Sequence, residues 1–289
     1  MTVERQVATG RRRLRYGIYL PPMGPLGDPA DLVELAVRAE AAGWDGVFLW
    51  DHVVSTFTPV ADTWTTLGAI AAATHTVRLG PMVTPLPRRR PWIVARQAAT
   101  VSRLSGGRLI LGAGLGTDET GDLSRFGDRS SLAERRSRFD EGVEVVRGMW
   151  SGAAYRHDGA HYQVTLETSA PEPHPLRIWS AGSSTGRGVV ARAAACEGMF
   201  FNPGHEPTPD EVAAVLDGLR AAGVADGRPY DVAVCGNASD AWPEPMRVDL
   251  DGLADAGATW WLESLMYLDP LELSLEVAGA PPPGRSRES

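Results

Sequence analysis

Lysine is absent from this chain. All 28 of its basic side chains are arginines, so no ε-ammonium can supply a Schiff base or the phosphate-binding lysine of a P-loop. Cysteine is almost absent as well. Cys196 and Cys235 are too few for a disulfide framework, and both lie in apolar runs, the ordinary setting of buried free thiols. No apolar run reaches membrane-spanning length and the first residues lack the apolar stretch of a secretory signal, so no membrane partner and a cytoplasmic location are expected. Arg11-Arg12-Arg13, followed soon by Pro21-Pro22, reads as a solvated lead-in rather than a twin-arginine export signal. Surplus positive charge is also lacking. The 36 acidic groups outnumber the basic ones and give a net charge of −8, which argues against nucleic acid as a partner.

What the chain does have, in 289 residues of which 43% are hydrophobic, is a regular alternation of short β-rich runs with longer segments of helical period. That alternation is the signature of βα units around a parallel sheet. Strands are expected at 15–20, 46–50, 77–82, 108–112, 177–180, 198–202, 231–236 and 259–262. Asp28-Pro29 opens a helix with an apolar stripe at Leu32, Leu35, Ala36 and Ala39, and Thr208-Pro209-Asp210-Glu211 is a capping box with proline at the first helical position. No break in composition divides the chain. The expected fold is therefore α/β, a single (β/α)8 TIM barrel over 15–279. It has a flexible lead-in at 1–14, an insertion hairpin within 152–166 and a disordered tail at 280–289.

In such a barrel the loops at the C-terminal ends of the strands carry the active site. The run GVFLWDHVV places Asp51 and His52 there; a helix-capping aspartate beside an exposed imidazole is the plainer alternative. Gly112-Ala-Gly-Leu-Gly116 resembles a dinucleotide fingerprint, but its third glycine comes one residue early and the acidic stretch Thr117-Asp118-Glu119 follows instead of a helix. Those glycines are better suited to letting backbone pass close under a ligand. Ser180-Ala-Gly-Ser-Ser-Thr-Gly186 offers backbone N–H groups and hydroxyls at a helix start, suited to an anion or to capping alone. Phe57 and Trp64, after His52, are candidates to wall a substrate pocket; in the last strand alternation sends Trp260 and Leu262 to one face and Trp261 and Glu263 to the other, with Glu263 as a rim carboxylate of that pocket and core filling as the plainer account. The histidines show no metal-ligand spacing, so no metal is expected.

Several stretches together resemble the luciferase-like family of flavin- and deazaflavin (F420)-dependent oxidoreductases, which includes bacterial luciferase. They are YGIYLPP, AEAAGWDGVFLWDH, VRLGPMVTPLPRRRPWIVARQAATVSRLSGGRLILGAGLG, RRSRFDEGVEVVRGMWSG, RIWSAG and GATWWLE. The resemblance spans about Tyr16 to Leu262. It implies that His52 assists proton movement as hydride passes to or from C5 of the deazaflavin, with Asp51 orienting it or capping the loop. It also implies a non-prolyl cis peptide at Met82-Val83 that, with Thr84, supports the middle ring of the cofactor, and arginines 88–90 able to steer an anionic group. Gly112, Gly114, Leu115 and Gly116 would pass beneath the cofactor, and Ala181, Gly182, Ser183 and Gly186 would hold its phosphate. Luciferase places an arginine where this chain has Leu115, a departure that tilts the reading from FMN toward F420.

Three functions follow as expectations. The first is an F420-dependent oxidoreductase exchanging hydride with a small organic substrate. The second is an FMN-dependent monooxygenase acting through a flavin C4a-peroxide. The third is a catalytically silent flavin-binding barrel. A homodimer is expected as well, through helix 91–104, whose Trp92, Val94 and Val101 exceed a single apolar stripe.

Overall fold

The computed structural model describes residues 13–167, 174–242 and 248–285. Its strands are β1 (Arg15–Leu20), β2 (Gly46–Leu49), β3 (Arg78–Pro81), β4 (Thr84–Pro85), β5 (Leu111–Gly114), β6 (Tyr155–Asp158), β7 (Gln163–Leu166), β8 (Ile178–Gly182), β9 (Gly198–Phe201), β10 (Asp231–Gly236) and β11 (Trp260–Ser264). The helices are α1 (Pro29–Ala41), α2 (Thr63–Ala73), α3 (Pro91–Leu104), α4 (Leu132–Trp150), α5 (Arg187–Ala194), α6 (Pro209–Ala221), α7 (Leu250–Ala256) and α8 (Leu271–Gly279). Nine strands form one sheet in the order β3-β2-β1-β11-β10-β9-β8-β5-β4, and every pairing in it is parallel. A parallel bridge between Leu79 and Leu109 brings the two edges together, with the Ile110 N–H donating to the Leu79 carbonyl at 2.9 Å. β3 and β4 are two halves of one stave, interrupted at the cis peptide Met82-Val83. The barrel thus has eight staves.

Strands buried on both faces explain why their sequences are almost continuously apolar. Alternation divides their side chains between two layers. Phe48, Trp179, Trp260 and Leu262 fill the barrel interior, where Trp260 meets Phe48 and Trp179 edge-on at 5.8 and 5.6 Å. Trp261 points the other way, into the layer between sheet and helices. Helix starts follow local chemistry. Asp28 caps α1 through the Ala30 N–H, while Ser131/Glu134 and Thr208/Glu211 form complete capping boxes on α4 and α6. The end of α2 is held by two charged side chains. Arg108 donates to the carbonyls of Ala71, Thr74 and Val77, and Glu40 accepts from the N–H groups of His75, Thr76 and Val77.

The structure departs from the sequence reading in four places. The fourth strand was expected at 108–112 but lies at 111–114, because the stave first bridges β3 at Leu109 before pairing with β8. Leu14, placed in the lead-in, is buried in the core; residues 1–12 lie outside the described residues. The tail expected to be disordered is held in place over residues 280–285; residues 286–289 lie outside the described residues. Its Ala280 carbonyl accepts the Trp44 indole N–H at 2.9 Å, and the Arg285 guanidinium bonds Gly43 and Asp45 and lies over the Tyr16 ring. Proline-rich sequence cannot form a core, but it can be clamped onto one. Finally, Val94 and Val101 face inward on α3 and Trp92 packs edge-on against Tyr162, so these three are accounted for within one chain. Ile93 and Leu104 are the exposed large apolar residues of that helix. The hairpin β6–β7 forms as expected and is pinned to α4 by Glu141, which accepts from His157, His161 and Tyr162.

Candidate active site

His52 sits just past β2 at the C-terminal mouth of the barrel, with its side chain 23% exposed. Its partner is Asp122, in the loop after β5, and not the adjacent Asp51. Nδ1 of His52 lies 2.5 Å from Oδ2 of Asp122. The other Asp122 oxygen accepts the Val53 and Val54 N–H groups at 2.8 and 3.1 Å, and Thr120 donates its hydroxyl to Oδ2. Burial opposes ionisation of Asp122, but these hydrogen bonds together outweigh it and hold the carboxyl below its ordinary pKa. An ionised carboxylate can only accept, so Nδ1 of the neutral imidazole carries the proton. Nε2 is then left as an acceptor, and no described residue bonds it.

Asp51 has a different task. It is 2% exposed and holds the arginine loop in place. Arg89 grips its carboxylate with two N–H groups at 2.6 and 2.9 Å, Arg88 reaches its Oδ1 and its backbone carbonyl, and Thr84 donates to Oδ2 at 2.8 Å. Arg88 also pairs with Asp122 at 3.3 Å. Burial lowers the Arg88 pKa while the two carboxylates work against that shift. A single network therefore ties together the ends of β2, β4 and β5, and a buried charge in it is tolerable only because each has its opposite. Arg88 and Arg89 are consumed here, which leaves Arg90 as the exposed member of the run.

The expected cofactor contacts separate into two sets. Val83 and Ala181 are partly exposed and lie on top of the interior cluster together with Trp50. Gly114 lies between them: a Cβ there would stand 2.4 Å from Val83 Cγ2 and 3.7 Å from Ala181 Cβ. Gly116 has φ +73°, where a side chain is strained, and a Cβ would also press on Pro85. These residues make a smooth apolar shelf that fits a flat heteroaromatic ring. The indole N–H of Trp50, buried and unpartnered, is a spare donor beside it. At its edge Gly182 leads into the exposed Ser183 and to Gly186, the N-cap of α5, which has no side-chain cap. The free N–H groups of that first turn fit a phosphodiester.

Other residues do not reach the mouth. Met82 is buried within the barrel interior, and Gly112 is needed where β5 passes the Pro81 carbonyl, which a Cβ would approach to 2.3 Å. Thr84 is fully buried between Asp51 and the indole N–H of Trp64. Leu115 packs outward against the helix-facing core. Trp64 belongs to that same outer core, so it does not wall a pocket. Glu263 is a correction of the same kind. Fully buried on the helix-facing side, it accepts the Ala238 and Ser239 N–H groups and the indole N–H groups of Trp242 and Trp261. Burial pushes its pKa up against these four donors. Phe57 does stand at the mouth, stacked on Tyr267 at 4.3 Å, and Tyr267 in turn meets Trp50. Sequence reasoning missed Asp122, Trp50 and Tyr267. The one available signal for the first was the acidic stretch beginning at Asp118, four residues upstream. Among the described residues no group of three or more His, Cys, Asp or Glu is placed to hold a metal, and no helix is long and apolar enough to cross a membrane.

Residues 12–241 match the family described as luciferase-like monooxygenase. Among curated proteins, the chain is 30% identical over 207 residues to an F420-dependent glucose-6-phosphate dehydrogenase of Nakamurella multipartita, covering 68% of this chain and 59% of that one. It is 31% identical to the protein of that description from Microbacterium testaceum, covering 73% and 64%. The chain thus spans about three fifths of the length of these relatives. Among solved structures, an F420-dependent secondary alcohol dehydrogenase in complex with an F420-acetone adduct shares the fold at a TM-score of 0.75 and 18% identity, over 95% of this chain and 100% of that one. The monooxygenase RslO1 from Streptomyces bottropensis is 28% identical with a TM-score of 0.64, over 78% and 71%.

Proposed function

The chain belongs to the luciferase-like monooxygenase family, and from that premise we propose that it is an F420-dependent oxidoreductase exchanging hydride with a small organic substrate. The observation that carries this reading is the His52–Asp122 pair with Nε2 left free, beside Trp50, which packs with Val83 and Ala181 of the shelf on the interior cluster. When bound, the deazaflavin supplies the two-electron exchange: a hydride leaves an alcohol carbon as the hydroxyl proton leaves oxygen, and a C=O bond forms. His52 Nε2 is the group that takes that proton, or returns it in the reverse direction. Imidazole suits the task because its ordinary pKa lies close to neutral pH. Asp122 acts as a positioning residue: it fixes the tautomer and the ring orientation. Asp51 with Arg88 and Arg89 holds the loops that carry them. Val83, Gly114 and Ala181 would bear the ring, and Gly182 with the first turn of α5 would take the phosphodiester. In this reading the enzyme works as a homodimer, with Ile93 and Leu104 of α3 as the apolar residues available to a second copy.

The relatives described as F420-dependent favour F420. The 28% identical monooxygenase favours a second reading, in which FMN occupies the same shelf and dioxygen is a co-substrate. Titration of the purified protein with F420 and with FMN, oxidised and reduced, followed by cofactor fluorescence, decides between them. Quenching of F420 with no response to FMN is expected. Tight FMN binding with no response to F420 would overturn the first reading, and binding of neither would favour a silent barrel.

A further inference from the structure

The side chains around His52 narrow the class of substrate. On three adjacent staves, β2, β1 and β11, aromatic rings form a continuous belt. Tyr19 lies 5.5 Å from Trp50, Trp50 lies 5.9 Å from His52 and 6.4 Å from Tyr267, and Tyr267 stacks on Phe57. Burial pushes the Tyr19 phenol well above its ordinary pKa, so it stays neutral. The belt continues outward into exposed apolar side chains on the same staves, Val53 next to His52 and Leu268 next to Tyr267, the latter 67% exposed. Large apolar side chains kept in water beside a reactive group are a common mark of a surface that a ligand covers.

Polarity points the same way. In a sugar phosphate the phosphate lies at the far end of the ring from the C1 hydroxyl, so the groups next to His52 would have to receive the sugar's own hydroxyls. The guanidinium groups of Arg88 and Arg89, which approach the site, are spent on Asp51 and Asp122. The ionised group in contact with His52 is Asp122, which is negative, and the neighbouring loops carry Asp118, Glu119 and Asp269 with the exposed Arg125. A sugar with its C1 hydroxyl at Nε2 would lay its remaining hydroxyls against aromatic ring faces, which offer them few hydrogen-bond partners.

We infer that the substrate is a neutral, largely apolar alcohol or ketone, ring-bearing or branched, whose oxygen meets His52 while its hydrocarbon body lies in the Tyr19–Trp50–Phe57–Tyr267 belt. A sugar phosphate, the substrate in the description of the curated relatives, does not fit this mouth. The inference rests on the cofactor reading above only for the identity of the group bound to the shelf.

The test begins by measuring F420 binding separately, through its fluorescence. The F420-loaded protein is then titrated calorimetrically with cyclohexanol, cyclohexanone and glucose 6-phosphate. The ring compounds are expected to bind roughly a hundredfold more tightly than the sugar phosphate. Phe57→Ala should weaken the ring compounds about tenfold with F420 affinity unchanged, and Phe57→Leu, which keeps apolar bulk in the event that alanine disturbs the loop, should weaken them less. Glucose 6-phosphate binding as tightly as cyclohexanone overturns the inference, as does absence of affinity for the ring compounds while F420 is bound. If F420 itself fails to bind, the cofactor reading falls, and the same titrations on FMN-loaded protein decide the substrate class by the same two outcomes.

Discussion

Replacing Asp122 by asparagine changes one atom and should reverse the proton arrangement of His52. In the wild type Oδ1 accepts two backbone N–H groups, while Oδ2 takes His52 Nδ1 at 2.5 Å and the Thr120 hydroxyl at 2.8 Å. Asparagine keeps its carbonyl oxygen for Val53 and Val54, so the amide NH2 must replace Oδ2. A donor now faces Nδ1, which can only respond by becoming the acceptor, and the imidazole proton moves to Nε2. The group proposed to take the substrate's proton then arrives already protonated. Loss of a general base costs about 10²–10⁴-fold in turnover, and F420 affinity should hardly change because the shelf is untouched. The amide also faces Arg88 Nη1, so a stability loss of about 1–3 kcal/mol is expected. The ¹⁵N shifts of labelled histidine report the tautomer directly, beside steady-state turnover. The acid limb adds a check. Asp122 has a lowered folded pKa, so its stabilisation is present above the unfolded carboxylate value of about 3.9 and is lost as pH falls through the lower folded value. The asparagine variant should lack that part of the limb. Unchanged turnover, or an unprotonated Nε2 in the variant, would refute the argument.

Glu263→Gln should cost about 1–3 kcal/mol in urea denaturation, because an amide nitrogen must face one of four N–H donors, while F420 affinity stays at the wild-type value; a selective loss of ligand binding would return Glu263 to the pocket. Glu40 has its pKa lowered to about 2: burial works against ionisation, and the hydrogen bonds from residues 75–77 outweigh it. Its contribution is present above the unfolded value of about 4.3 and disappears as pH falls toward about 2. Glu40→Gln should therefore lower stability at pH 7 by about 1 kcal/mol, after discounting for exposure, and differ less from the wild type in acid; a difference independent of pH would count against the mechanism.

The parts of the fold that were legible in the sequence are those written locally. The capping box at Thr208, the proline starts of α1 and α3, and the βα alternation need only neighbours a few residues away. His52 was legible because the end of a barrel strand is a known place for chemistry. Its partner was not, because Asp122 lies 70 residues downstream and nothing near it in sequence says which way it points. Asp51 illustrates the opposite error. An acid next to a reactive histidine invites pairing, yet successive side chains at a strand end diverge, and Asp51 turned toward Thr84 and the arginines. For Trp64 and Glu263, residue type suggested a pocket while the helix phase and strand parity sent them to the outer layer. Parity correctly put Trp261 and Glu263 on one face; what it could not say is that this face meets the helices and not the pocket rim.

The position of β1 has a consequence for the chain as it is made. β1 pairs with β2 on one side and with β11 on the other, and Arg285 reaches back 240 residues to Asp45 beneath it. At a ribosomal pace of about 5–20 residues per second, β1 spends on the order of 10–50 s with one edge bare before β11 emerges. An edge of RYGIYL is apolar and β-prone, the kind that recruits another strand. Its guard during that interval is Arg15, whose charge later finds Asp231 on the completed barrel. The strand made before all the others of this barrel is therefore the last of them to be enclosed, and the burden on cellular chaperones falls on β1.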